Sequence, residues 1–147
     1  MNTVASTATC ELCSTPGGHV VWRGEGWRAI RAADASFPAF YRLICNRHVA
    51  EFTDLSPEER TCCMERVAAL EQALRQALRP TKINIASLGN VVPHLHWHVI
   101  ARFDWDSHFP QPVWGTAQRV VEPPALQRLA CTLEQLDAAV AAALEAA

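Results

Sequence analysis

The stretch Asn90-Val91-Val92-Pro93-His94-Leu95-His96-Trp97-His98-Val99-Ile100 constrains this chain more than any other. Leu95, Trp97 and Val99 are apolar and β-favouring and alternate with histidines, a period-two pattern that predicts a half-buried strand. Successive side chains of a strand point to opposite faces. His94, His96 and His98 are therefore expected on one face, with Leu95, Trp97 and Val99 on the other. A single histidine in such a run is ordinarily a core or surface residue. Three on one face, half of the six in the chain, ask for a chemical explanation. A metal site is one, since imidazole is a common zinc ligand. At a rise of ~3.3 Å per residue, however, His94 and His98 start roughly 13 Å apart, against a Zn–N bond of about 2 Å. Two neighbours could share an ion if the strand bends, but distinct roles for the three fit the spacing better.

The remainder of the chain bounds where such a strand can lie. Its 147 residues suit one domain, 1–147, large enough for a real core. Thirteen Lys and Arg against fifteen Asp and Glu give a net charge of −2, which speaks against the basic footprint of a protein that binds nucleic acid polymers. No apolar run approaches the ~20 residues that cross a bilayer. The segment Met1-Asn2-Thr3-Val4-Ala5-Ser6 lacks the basic and then apolar regions of a secretory signal. Six cysteines could form a disulfide framework, but the core is sufficient without one and Cys62-Cys63 falls inside a helical pattern. Reduced thiols in a cytoplasmic protein are the expectation.

Short runs bounded by turn residues predict strands at His19–Arg23 and Trp27–Arg31, a hairpin around Gly24-Glu25-Gly26, and a third at Phe40–Cys45. Ser56-Pro57-Glu58-Glu59 is a helix start, with a capping serine, a proline at the first helical position and a glutamate closing a capping box. Cys63, Val67, Leu70, Leu74 and Leu78 then form a core-facing stripe, and Arg79-Pro80 ends the helix. Lys82–Ser87 is the fourth expected strand and His94–Arg102 the fifth, with Leu88-Gly89-Asn90 turning between them. Asp104–Gly115 has no period and predicts an ordered loop over the sheet, in which Trp105 and Trp114 are candidates to cover a site or an interface. Leu126, Leu129, Leu133, Leu136 and Val140 recur with helical spacing and predict a second helix, Pro124–Ala146, packed on the sheet or on a neighbouring subunit.

His94-Leu95-His96-Trp97-His98-Val99-Ile100 resembles the His-φ-His-φ-His-φ-φ signature of the histidine triad (HIT) superfamily of nucleotidyl hydrolases and transferases. Gly89-Asn90, Asn84, the Pro38–His48 stretch and Cys10-Glu11-Leu12-Cys13 extend the likeness, so that it covers roughly Cys10 to Arg102. It implies an α+β fold, a five-stranded and largely antiparallel sheet with two main helices, and a homodimer with sheets joined edge to edge. It assigns His96 as the nucleophile toward an α-phosphorus, forming a nucleotidyl-histidine that water resolves. His98 would donate to phosphate or to the leaving atom. Gly89, Asn90, Asn84 and His98 would hold the nucleotide. Asn90 stands where many members carry Gln, Phe40 where many carry His, and Asp34 is the nearest candidate for a ribose contact. Cys10 and Cys13 resemble the N-terminal pair of zinc-containing members, which implies a structural zinc completed by His48 and His94. No catalytic metal or organic cofactor is implied.

Two other readings of the same residues stay open. In one, the triad histidines are ligands of a catalytic metal in a metal-dependent hydrolase. In the other, the chain is a nucleotide-binding module with little turnover. Chelator sensitivity of turnover separates the first from the nucleotidyl-histidine route. Measured turnover separates the second.

Overall fold

The strands form close to where the sequence places them. The computed structural model describes residues 7–147. A short helix α1 (Glu11–Ser14) precedes β1 (His19–Arg23), β2 (Trp27–Arg31) and β3 (Phe40–Cys45). The long helix α2 (Pro57–Leu78) follows, then β4 (Lys82–Ala86), β5 (His96–Arg102) and α3 (Leu133–Ala146). The five strands make one antiparallel sheet in the order β1-β2-β3-β5-β4, with β5 inserted between β3 and β4.

The capping box is present at α2. The Ser56 hydroxyl accepts from the Glu59 amide at 3.2 Å, and the Glu59 carboxylate accepts from the Ser56 amide at 2.7 Å. Arg79 ends the helix in the left-handed region. The expected stripe of Cys63, Val67, Leu70, Leu74 and Leu78 is buried, joined by Ala73. It packs on the sheet face made by Tyr41, Leu43, Val99 and Ala101. Apolar burial at roughly 25 cal/mol per Å² is what holds helix to sheet here.

Three element boundaries differ from the sequence-based expectation, the smallest at β4, which ends at Ala86 rather than Ser87. The fifth strand starts at His96 rather than at His94, because the His94 ring turns away into a separate cluster and the chain there bonds elsewhere: the Leu95 amide donates to the Val49 carbonyl at 2.8 Å. The C-terminal helix begins at Leu133, not at Pro124. Thr132 caps it, accepting from the Gln135 amide at 3.1 Å while the Gln135 side chain accepts from the Thr132 amide at 3.0 Å. Upstream lies only a 3₁₀ turn, Ala125–Arg128, and Leu126 is exposed. Helical spacing of leucines continued through a stretch where the cap had set the start.

Helix α3 is fastened to its own sheet. Asp137 accepts from both Arg31 Nε and Nη2, at 2.9 and 3.0 Å, and from the Tyr41 hydroxyl at 2.6 Å. With α2 and α3 on one face, the opposite face carries the even-numbered residues of β3 and β5. Register sets Arg42 opposite His98 and Ile44 opposite His96, with Ala86 of β4 on the other flank of His98.

Candidate functional site

His96 and His98 project from β5 onto the face that the helices leave free, and both are nearly buried. Their rings lie edge to face with centroids 5.0 Å apart. The Nδ1–H of His96 donates to the His94 carbonyl at 2.6 Å. A carbonyl can only accept, so this contact fixes the proton on Nδ1 and leaves a lone pair on Nε2. Burial holds the His96 imidazole below its ordinary pKa, against the contrary pull of that hydrogen bond. The Ser87 hydroxyl donates to the carbonyl of His96 itself at 2.9 Å, bracing its backbone from the β4 side.

His98 has different surroundings. Its ring meets Phe40 at 5.5 Å and Trp114 at 5.1 Å, both edge to face. Arg42 Nε donates toward its Nδ1 at 3.4 Å. Burial, helped by His96 and Arg42, pushes the His98 pKa down to about 4, so the ring is neutral near pH 7. Of the two tryptophans in the C-terminal loop, Trp114 covers His98 while Trp105 stacks on Phe103 at 4.6 Å under Arg128.

The third histidine belongs to another cluster. His94 Nδ1 lies 3.4 Å from Cys10 Sγ, 3.5 Å from Cys13 Sγ and 3.2 Å from His48 Nδ1, and Cys13 Sγ lies 3.2 Å from His48 Nδ1. The four donor atoms are all within 4.8 Å of one another. Tetrahedral zinc with bonds of about 2.0–2.3 Å sets its ligands some ~3.3–3.8 Å apart, so donor type, number and spacing all fit a closed Cys₂His₂ site. The Nε2–H of His94 donates to the Cys45 carbonyl at 2.6 Å, which turns Nδ1 to the cluster as an outer partner of a metal-bound imidazole does. Arg28, buried, gathers the carbonyls of Leu12, Thr15 and Pro16 and the side chain of Asn46, and so fastens α1 and the turn after it to β2.

Gly89 turns with φ +74°, a conformation that disfavours a side chain, in the segment that leads back to β5. Asn90 beside it is exposed. A cavity of about 250 Å³ opens between the Ala50–Phe52 segment and the Ser87–Gly89 turn and reaches His96. Asn84 shares the open face, but its side-chain oxygen already accepts from Arg102 Nη1 at 2.8 Å, leaving its NH₂ for any ligand. Asp34 closes its own turn, accepting from the amides of Ser36 and Phe37.

Sequence reasoning missed two arginines. Arg42 faces His98 from β3. Arg102, fully buried, pairs with Asp106 through Nε at 2.8 Å and Nη2 at 3.0 Å and donates to the Gln111 carbonyl at 2.7 Å, which pins the loop that carries Trp114. An arginine amid Phe40-Tyr41-Arg42-Leu43-Ile44, at an alternate position in an otherwise apolar strand, was the available signal.

Fold and site together define a class: an α+β protein in which an inner strand of the sheet offers two neutral imidazoles to an open face, beside a Cys₂His₂ cluster. The chain belongs to the HIT family, whose domain model matches residues 17–105. That family consists in general of nucleotide-binding hydrolases and transferases. A histidine triad protein of Bradyrhizobium japonicum is 27% identical, covering 88% of this chain and 92% of its own, with a TM-score of 0.71. One from Marinobacter aquaeolei has the same fold at 24% identity, TM-score 0.72, over 94% of this chain and 96% of the other. A Zn-bound family member from Mycobacterium smegmatis superposes with a TM-score of 0.61 at 19% identity, over 96% of each chain. No curated protein matches the chain. No helix among the described residues is long and apolar enough to cross a membrane.

Proposed function

We propose that this protein, working as a single 1–147 unit in the cytoplasm, hydrolyses or transfers nucleotidyl groups by cleaving P–O or P–N bonds, as in dinucleoside polyphosphates or nucleoside phosphoramidates. The observation that carries the reading is the His96 Nδ1–H bond to the His94 carbonyl, which presents Nε2 as an unprotonated nucleophile on the open face. Nε2 donates its pair to the α-phosphorus, the bond to the leaving oxygen or nitrogen breaks, and the leaving atom takes its electron pair and a proton from water. The cationic phosphoimidazole is steadied by the same carbonyl. Water then attacks phosphorus, the P–N bond breaks, and His96 is restored.

His98, neutral near pH 7, serves as a hydrogen-bond donor to phosphate or leaving atom rather than as an imidazolium acid. The Gly89 backbone, Asn90 and the free NH₂ of Asn84 complete the nucleotide site. A catalytic metal on His96 and His98 is disfavoured by the guanidinium of Arg42 next to them, whose hydrogen bond to His98 Nδ1 leaves the ring proton on Nε2.

Cys10, Cys13, His48 and His94 would hold one structural zinc, which when bound cross-links the N-terminal turn to the two chain segments flanking the sheet's end. We further propose a twofold homodimer with the sheets joined edge to edge, testable by light scattering at micromolar concentration, where a monomer overturns it. The test of the activity is a panel of dinucleoside polyphosphates, phosphoramidates and sugar nucleotides read by mass spectrometry, followed by acid-free quench with an α-labelled substrate and peptide mapping. Label on His96 is the expected result. Label elsewhere, or no turnover across the panel, sinks the reading.

A further inference from the structure

Arg42 occupies an unusual position for a guanidinium. It lies half-buried in the strand next to β5, directly opposite His98, with its Cζ 5.2 Å from the centre of the Phe40 ring. Among the described residues no carboxylate stands within ion-pair distance of it, whereas Arg31 and Arg102 on the same sheet each hold a bidentate aspartate and the buried Arg28 is satisfied by three carbonyls and the Asn46 side chain. Its one side-chain hydrogen bond uses Nε, toward His98 Nδ1. The two terminal nitrogens, the fork that matches phosphate oxygens in pairs, make no hydrogen bond to the described protein. Half-burial disfavours the charge of this unpaired guanidinium, at some cost, and Glu11 and Asp34 act on it only through space. An anion brought by the substrate would remove that cost.

We infer that Arg42 holds the His98 imidazole with its proton on Nε2 and receives the non-bridging oxygens of the substrate phosphate on its terminal nitrogens. The inference rests on the nucleotidyl-transfer reading for its substrate, but both halves follow from placement. A guanidinium can only donate, so His98 Nδ1 must accept, and the ring proton stands on Nε2, where it faces the reacting group. The same side chain thus positions the donor and binds the anion, and lysine, with a single ammonium, cannot do both.

Three forms of the full-length protein test this: wild type, Arg42→Met and Arg42→Lys. Long-range nitrogen–proton NMR spectra of the free protein report the His98 tautomer. Wild type should show Nδ1 unprotonated; Arg42→Met should show a mixture of tautomers. Titration with inorganic phosphate, followed on the same resonances, should show about tenfold weaker binding in Arg42→Met, with most of it recovered in Arg42→Lys while the tautomer stays mixed. On a turned-over substrate, Arg42→Lys should keep KM near wild type and lose kcat, and Arg42→Met should lose both. A wild-type His98 protonated on Nδ1 overturns the inference, and needs no variant to fold. So does an Arg42→Met protein with wild-type tautomer and phosphate affinity. Neither spectrum depends on turnover, so a protein inert across the substrate panel but with the expected tautomer and phosphate response would defeat the functional reading and leave Arg42 as assigned.

Discussion

The two ends of the open face are held down by different means. At one end, Arg28 collects neutral carbonyls and a side-chain amide, and the Cys/His cluster closes over the strand ends. At the other, Arg102 and Asp106 form a buried ion pair that also organises the backbone: Asp106 accepts from the amides of Phe103, His108 and Phe109. The first arrangement crowds together four donor atoms that could bind a metal. The second is complete within the protein. His96 and His98 lie between, so the proposed zinc would make one end of the site sensitive to chelation, while the other is sensitive to charge.

The sharpest way to break this contrast is to remove the chemistry while leaving both ends alone. His96→Ala should lower turnover by at least ~10³-fold, about 4 kcal/mol, with metal content unchanged. Comparable turnover in the variant would mean that the reacting group lies at one of the ends. Next in size, Cys13→Ser should abolish bound zinc, as read by elemental analysis of protein prepared without chelator. It should also lower Tm by about 10 °C, since metal binding energy is folding energy. Asp106→Asn, in contrast, should cost about 3 kcal/mol in denaturant unfolding, by leaving Arg102 poorly paired, and should spare the zinc. Zinc loss in that variant would show that the two ends are not independent.

The smallest effect is a pH dependence. His98 has its folded pKa pushed down to about 4 from an ordinary 6.5 by burial among Phe40, Trp114, His96 and Arg42. Between those values the unfolded chain binds the proton more tightly, so stability falls as pH drops from about 6.5 to about 4 and levels off below. His96, shifted the same way, adds to the slope. Unfolding curves across that window should be flatter for His98→Gln than for wild type; identical slopes would place the His98 ring in water.

Much of this was legible in the chain because it was written in local chemistry. A period-two run marked β5, short runs between turn residues marked the other four strands, and the serine–proline–glutamate start of α2 needed no tertiary context. Distinct roles for the three histidines followed from strand spacing. What stayed hidden depended on partners far away in sequence. Nothing near Arg102 says that Asp106 would turn back to meet it outside a helix, and nothing near Arg42 names His98, 56 residues on. Trp105 and Trp114 look alike in sequence; only the pinned loop separates them. The start of α3 was misjudged because leucine spacing was allowed to outweigh the Thr132–Gln135 cap.

The insertion of β5 between β3 and β4 has a consequence for synthesis. A nascent chain completes β1, β2 and β3 early and can close them as a meander, and α2 forms from its own local signals. The free edge of β3 must then wait for the piece that bears the histidines, the last strand to emerge. Until Arg102 has cleared the ribosome there is neither a finished sheet nor a His96 ring held in place. Premature termination anywhere upstream therefore leaves an open-edged and chemically silent fragment, a target for chaperones and proteases rather than a partly active enzyme.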